Sequence, residues 1–167
     1  KYCSPTRSSI LSGRLPHLVN EQNREVWQAG GGVDLRMELL PAKLKAAGFI
    51  SHQLGKWHAG MSSAAHMPTS RGFASSFGYL GGAEDHWTQR QGPGVDFWEG
   101  GPARTKNGTL FGDEHFAVAA TEIISAHDFG EAKLFIYLPL QVVHEPVEAP
   151  EQYLARYPDS EFSTRRT

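Results

Sequence analysis

The chain has a single cysteine, Cys3, among 167 residues. That excludes an internal disulfide framework and any Cys-rich zinc site, and leaves the redox compartment open. It has almost no net charge, formally -2, so no basic surface argues for nucleic acid or an anionic membrane. No apolar run approaches the roughly 20 residues of a membrane span. No internal repeat or low-complexity tract stands out, and no signal-peptide pattern begins at Lys1. The chain opens without Met and closes on a polar stretch, Asp159 to Thr167, so both ends read as cut.

What is present is an ordinary globular composition, 40% hydrophobic and 20% charged, enough for one domain burying about two-thirds of its unfolded surface. Pro5 to Leu11 reads as a helix, with Pro in its first turn and Gly13 as its stop. Val19 to Asp34, with Gly30, Gly31 and Gly32, reads as a surface loop. Met37, Leu40, Leu44 and Ala47 recur at helical spacing before Gly48, and Phe49 to Leu54 reads as a short strand. Gly55 to Gly112 reads as irregular but, being rich in aromatics, ordered. Glu114 to Ala126 is patterned as a helix with Phe116, Ala119, Ala120, Ile123 and Ile124 on one side. Lys133 to Leu140 reads as a strand covered on both faces, and Gln152 to Tyr157 as a short helix. Helices alternating with buried strands predict an α/β sheet. Such sheets place sites on the loops leaving strand C-termini, here Gly55 to Gly60 and Gln141 to Pro150.

Three clusters carry chemistry. Cys3-Ser4-Pro5-Thr6-Arg7 sets a thiol at a helix N-terminus, where the dipole and free N–H groups favour a thiolate. Arg7 lies one turn on and can face the same point. Gly55-Lys56-Trp57-His58-Ala59-Gly60 offers a fixed cation and a proton carrier on one side of an extended segment. His144-Glu145-Pro146 leaves the second strand. Singly, each also reads as structure: an inert buried Cys with a surface Arg, a surface Lys–His pair, a hydrogen-bonded His. Together, a nucleophile and several cationic or proton-carrying groups suit an anionic tetrahedral substrate such as sulfate or phosphate. Separately, Asn107-Gly108-Thr109 fits the N-glycosylation acceptor pattern, which matters only in a secreted protein.

With Ser12-Gly13-Arg14 behind it, the Cys3 cluster resembles the first signature of the formylglycine-dependent sulfatases, and Gly55-Lys56-Trp57-His58-x-Gly60 resembles the second. The resemblance continues through Arg71-Gly72-Phe73, Phe77-Gly78-Tyr79-Leu80-Gly81-Gly82, Glu84-Asp85, Leu134-Phe135-Ile136-Tyr137 and Gln141-Val142-Val143-His144-Glu145-Pro146. These later stretches are most similar to the arylsulfatase B branch, which acts on sulfated N-acetylgalactosamine. Ala83 stands where several relatives carry Ser.

The resemblance implies an alkaline-phosphatase-like α/β sheet flanked by helices and incomplete at both ends, with residues 1–167 forming part of a sulfatase catalytic domain. It implies that Cys3 is oxidised to formylglycine by a formylglycine-generating enzyme. One hydroxyl of the hydrated aldehyde then attacks sulfur, and the second serves to eliminate sulfate. Arg7 would hold the diol, and Lys56 would neutralise charge on it and on sulfate. His58 would assist elimination, while His144 would bind a sulfate oxygen and help protonate the leaving alcohol. A calcium ion would bridge formylglycine and sulfate, with Cys3 as the one metal-site residue placed here. The family's Asp ligands match none of Asp34, Asp85, Asp96, Asp113, Asp128 or Asp159. The 167-residue piece alone is therefore expected to bind calcium weakly and lack activity. Maturation in the secretory pathway and a lysosomal or extracellular location follow by the same resemblance. A phosphonate or phosphate monoester hydrolase of the same superfamily, and a silent homologue used for binding, remain the alternatives.

Overall fold

The computed structural model describes residues 2–19, 25–100 and 110–157; Asn107 and Asp159 lie outside them. Helix α1 (Cys3–Ser12) ends where Gly13, at φ 69, turns left-handed and its N–H closes on the Ser9 carbonyl, a conformation that costs glycine little. A short α2 (Pro16–Val19) follows. Helix α3 (Leu40–Ala46) has Pro41 in its first turn, where the missing N–H has no intrahelical partner to lose. Strand β1 (Phe49–Lys56) comes next, then 3₁₀ turns at Ala64–His66 and Pro68–Arg71. Strand β2 (Ser75–Tyr79) is followed by three short strands, β3 (Arg90–Gln91), β4 (Gly94–Val95) and β5 (Trp98–Glu99). Helix α4 (Gly112–Ala126), β6 (Lys133–Tyr137) and α5 (Glu151–Leu154) complete the described order.

The main sheet runs β5-β2-β1-β6, with β1 parallel to both β2 and β6 and β5 antiparallel to β2; β3 and β4 form a small separate ribbon. Register places Ser51 beside Phe135 and Leu54 beside Phe77. Since Ser51 and Leu54 are an odd number apart, these aromatics point to opposite faces. One face packs Phe135 and Tyr137 with Leu11, Val33, Leu39, Trp57, Phe73 and Leu80. On the other, Phe116 of α4 is fully buried against Phe77, Tyr79 and Phe97, with ring centroids 6.0 to 6.5 Å apart. Burial of such a side chain is worth about 2–3 kcal/mol.

Several sequence expectations change. The supposed irregular region holds β2, a central parallel strand whose identity comes from pairing with β1. The supposed surface loop before Asp34 buries Val26 and Val33. Met37 precedes the α3 helix and packs on the core instead. Ile124 is half exposed because the inner face of α4 is Gly112, His115, Phe116 and Ala120. The strand expected over 133–140 stops at Tyr137 and is only partly covered. It lies at one end of the described sheet, and Leu138 and Leu140 are 37% and 43% exposed.

Candidate active site

Two parallel strands deliver the chemistry to one end of the sheet. β1 runs further than its hydrophobic pattern suggests and carries Gly55 and Lys56 within the strand. Gly55 has φ 98, and a Cβ there would sit 2.5 Å from the Pro139 carbonyl oxygen. Only glycine lets β1 and the exit of β6 close this tightly, and the Lys56 N–H then donates to Pro139 at 3.1 Å. Trp57 is fully buried and its indole N–H reaches the carbonyls of Gly60 and His66 at 2.9 and 3.1 Å. Backbone N–H groups of Trp57 and His58 donate to Tyr79 and Leu80, continuing the ladder past the strand. His58 itself is left-handed, at φ 47, a strain of roughly 1–3 kcal/mol for a non-glycine residue. That strain turns its ring against Gly82, where an added Cβ would lie 3.0 Å from His58 Cε1.

The three sequence clusters meet here. Cys3, in the first turn of α1, holds its Sγ 3.6 Å from His144 Nε2. The His144 Nδ1–H is assigned as donor to the Glu145 carbonyl at 2.8 Å, which leaves Nε2 with the lone pair that faces the thiol. Arg7 donates from Nη1 to the Lys56 carbonyl at 3.0 Å. Burial pushes the Tyr137 phenol up, and the charge of the Arg7 guanidinium beside it opposes this.

Lys56 is 1% exposed, and no side chain completes a hydrogen bond to its Nζ. Burial lowers its pKa; the facing Cys3 sulfur opposes that shift and Arg7 adds to it. His58 is pushed down to about 3, first by burial and then by the charges of Lys56, Arg7 and His144. As it stands the site keeps His58 neutral, so at pH 7 it is a hydrogen-bonding group, and its near-neutral titration read from sequence requires an anion to offset those cations. A buried, unpartnered ammonium beside a guanidinium is an arrangement short of negative charge, and an anionic tetrahedral group satisfies it.

A cavity of about 410 Å³ opens beside Cys3 and Arg7, walled by Tyr2, Ile10, Tyr137 and Pro139. A larger hollow, about 610 Å³, lies between Met67, Ser75 and Trp98 and touches none of the five candidate residues. The smaller one meets Cys3 and Arg7 but not Lys56, His58 or His144. Among the described residues no group of three or more His, Cys, Asp or Glu side chains can hold a metal ion. Calcium takes roughly six to eight oxygen ligands, and the groups gathered at Cys3 are instead cations and imidazoles. They do not fit a calcium cage by themselves.

Sequence reasoning missed the carboxylates behind the site. Asp113 accepts the N–H groups of Gln141 and Val142, Glu148 accepts that of His86, and Glu84 is buried with both carboxyl oxygens unpartnered. The first-turn position of Asp113 was the one available signal, and it reads equally well as a helix-dipole residue.

A cysteine and an arginine from α1, one buried cation, Lys56, and two imidazoles thus gather at the exits of two parallel strands of an α/β sheet. The chain belongs to the sulfatase family: the Sulfatase family model matches residues 1–166. It is 32% identical to mouse (Mus musculus) arylsulfatase J over 163 residues, covering 93% of this chain and 27% of that protein. It is 28% identical to mouse N-acetylgalactosamine-6-sulfatase over 170 residues, covering 91% of this chain and 32% of that protein. The structure of Ps i-CgsB in complex with k-i-k-neocarrahexaose matches with a TM-score of 0.81 at 21% identity, over 93% of this chain and 38% of that one. The fold is the alkaline-phosphatase-like sulfatase fold, as expected. The chain spans about a third of the length of these relatives.

Proposed function

We propose that this chain supplies the nucleophile-bearing part of a sulfuric ester hydrolase that acts on sulfated carbohydrates. The observation that carries this is the convergence of Cys3, Arg7, Lys56, His58 and His144 at two strand exits, with Cys3 Sγ 3.6 Å from His144 Nε2. The carbohydrate assignment is supported by the N-acetylgalactosamine-6-sulfatase relative.

Converted to formylglycine, Cys3 supplies a hydrated aldehyde, with one hydroxyl to attack sulfur and another to release sulfate. Lys56, already buried and without a partner, pairs with the sulfate oxygens and stabilises the charge that builds on them. Arg7 holds the end of β1 by its bond to the Lys56 carbonyl, and its charge stabilises the anion that forms on the nucleophile. His58, neutral in the anion-free site, gains proton affinity as an anion offsets Lys56 and Arg7, and can then take the proton that elimination releases. His144 hands a proton to the leaving alcohol from Nε2 as the imidazolium, with its Nδ1–H held throughout by the Glu145 carbonyl. Calcium belongs to the same reading, with oxygen ligands that the described residues do not supply. So do the formylglycine-generating enzyme as partner and a secretory route to a lysosomal or extracellular location. No helix among the described residues is long and apolar enough to cross a membrane.

The test is turnover of an aryl sulfate by the full-length protein, with mass spectrometry of the Cys3 peptide. Turnover with aldehyde at Cys3 is expected. A persistent thiol in the native host together with no turnover would leave the silent-homologue reading in its place. Faster cleavage of a phosphate or phosphonate ester would favour the phosphatase-type alternative.

A further inference from the structure

His144 sits on a loop that packing does not hold. Val142, Val143 and Val147 around it are 44%, 99% and 42% exposed, so these apolar side chains do little to anchor it. Polar contacts fix the loop at both ends. At the entry, Asp113 on the first turn of α4 spends both carboxylate oxygens on backbone donors: Oδ1 accepts from Gln141 N at 2.8 Å and Oδ2 from Val142 N at 3.1 Å. The Gln141 side chain, 2% exposed, donates from Nε2 to the Glu84 carbonyl. At the exit, Glu148 Oε2 accepts from His86 N at 2.9 Å. α4 is itself immobilised by Phe116 in the aromatic cluster. A carboxylate accepting two backbone N–H groups is a charge-assisted clamp, and here it ties the His144 loop to the rigid side of the sheet.

We propose that Asp113 is a positioning residue for His144, with Glu148 as the clamp at the far end of the same loop. The assignment rests on the sulfatase reading only for its catalytic consequence; the anchoring stands on the hydrogen bonds alone. Proton delivery to a leaving alcohol needs the imidazole within hydrogen-bond reach, and a displacement of about 1 Å can cost on the order of a hundredfold in rate. Asp113 touches neither the thiol nor the proposed substrate, so its effect passes through the loop.

The experiment uses the full-length protein and the variants Asp113→Ala, Asp113→Asn, Asp113→Glu and Glu148→Gln. Amide hydrogen exchange is followed at Gln141 and Val142 beside β1 amides as reference, together with kcat and KM for an aryl sulfate and the extent of Cys3 conversion. Asp113→Ala is expected to speed exchange at Gln141 and Val142 while β1 stays protected. It should lower kcat roughly tenfold to a hundredfold with little change in KM. Asp113→Asn keeps one acceptor and should fall between, and Asp113→Glu should recover part of the loss. Unchanged exchange at Gln141 and Val142, or an equal loss of protection in β1, overturns the proposal. If the wild-type protein turns over no aryl sulfate, the sulfatase reading falls, and the exchange arm still upholds or overturns the anchoring.

Discussion

Cys3 and His144, 141 positions apart in sequence, meet with Sγ 3.6 Å from Nε2. One comes from the first turn of α1, which Arg7 ties to the end of β1, and the other from the loop leaving β6, the parallel neighbour of β1. If His144 protonates the leaving alcohol, His144→Ala in the full-length protein lowers kcat by about 10²- to 10⁴-fold, and the loss shrinks for an aryl sulfate whose phenol leaves easily. Steady-state kinetics across phenols of graded acidity check this, with conversion of Cys3 measured in parallel. A loss that does not depend on the leaving group would remove His144 from that role.

Gly55 and Gly78 are register partners in β1 and β2, and the strands touch there without side chains. A Cβ on Gly78 would lie 2.1 Å from the Gly55 carbonyl oxygen and 2.6 Å from its nitrogen, and Gly78 also has φ 150. No rotation of a flexible neighbour relieves a clash with backbone. Gly78→Ala is therefore expected to destabilise the fold by about 2–4 kcal/mol, lowering Tm by roughly 5–15 °C for a chain of this size. A thermal melt within about 2 °C of wild type would show that the strands have room to separate.

These two positions show what the sequence made legible. The motif around Lys56 and His58 could be placed because a recognisable strand leads into it, and His144 because an apolar run precedes it. Strand β2, Ser75-Ser76-Phe77-Gly78-Tyr79, was not legible: it has no alternation and its glycine argues against a strand. Its conformation is imposed by pairing with β1, a non-local contact that propensity does not contain. The convergence of Arg7 on the Lys56 carbonyl was likewise beyond the pattern, since helical spacing says only that Arg7 shares a side with Cys3. The left-handed turn at His58 and the burial of Glu84 are tertiary effects with no local signal.

Glu84 yields a stability prediction of definite sign. Its carboxyl is pushed up to about 10, first by burial and then by Asp96, Asp85 and Asp113, so it is protonated in the fold at neutral pH. In the unfolded chain it ionises above about 4.5. The unfolded state therefore binds fewer protons between those values, and the stability this acid allows is full below about 4.5 and declines as pH rises toward 10. Glu84→Gln removes the ionisation with little change in shape. It should match wild type near pH 4 and exceed it by a few kcal/mol at pH 8, at about 1.4 kcal/mol per pH unit. Urea denaturation at the two pH values reads the difference directly, and an equal gain at both would assign the effect to packing.

His58 titrates in the opposite sense. Its ring is held down to about 3 by burial and by the charges of Lys56, Arg7 and His144, against an ordinary value of 6.5. Between those limits the unfolded chain takes up a proton that the folded chain refuses, so stability is complete above about 6.5 and falls with acidification. Other histidines titrate as well, but they are shared by wild type and a His58→Gln variant and cancel in the comparison. The left-handed backbone at position 58 costs both proteins the same at every pH. On going from pH 7 to pH 4.5, wild type should lose about 2 kcal/mol more than His58→Gln. A second variant, Lys56→Gln, removes one of the repelling charges and should narrow that gap by raising the His58 pKa. Sulfate in the buffer should narrow it in the wild type too, since an anion at Lys56 and Arg7 offsets what holds His58 neutral. Parallel stability curves for wild type and His58→Gln across this range would mean that the ring is solvated and does not share the charged site.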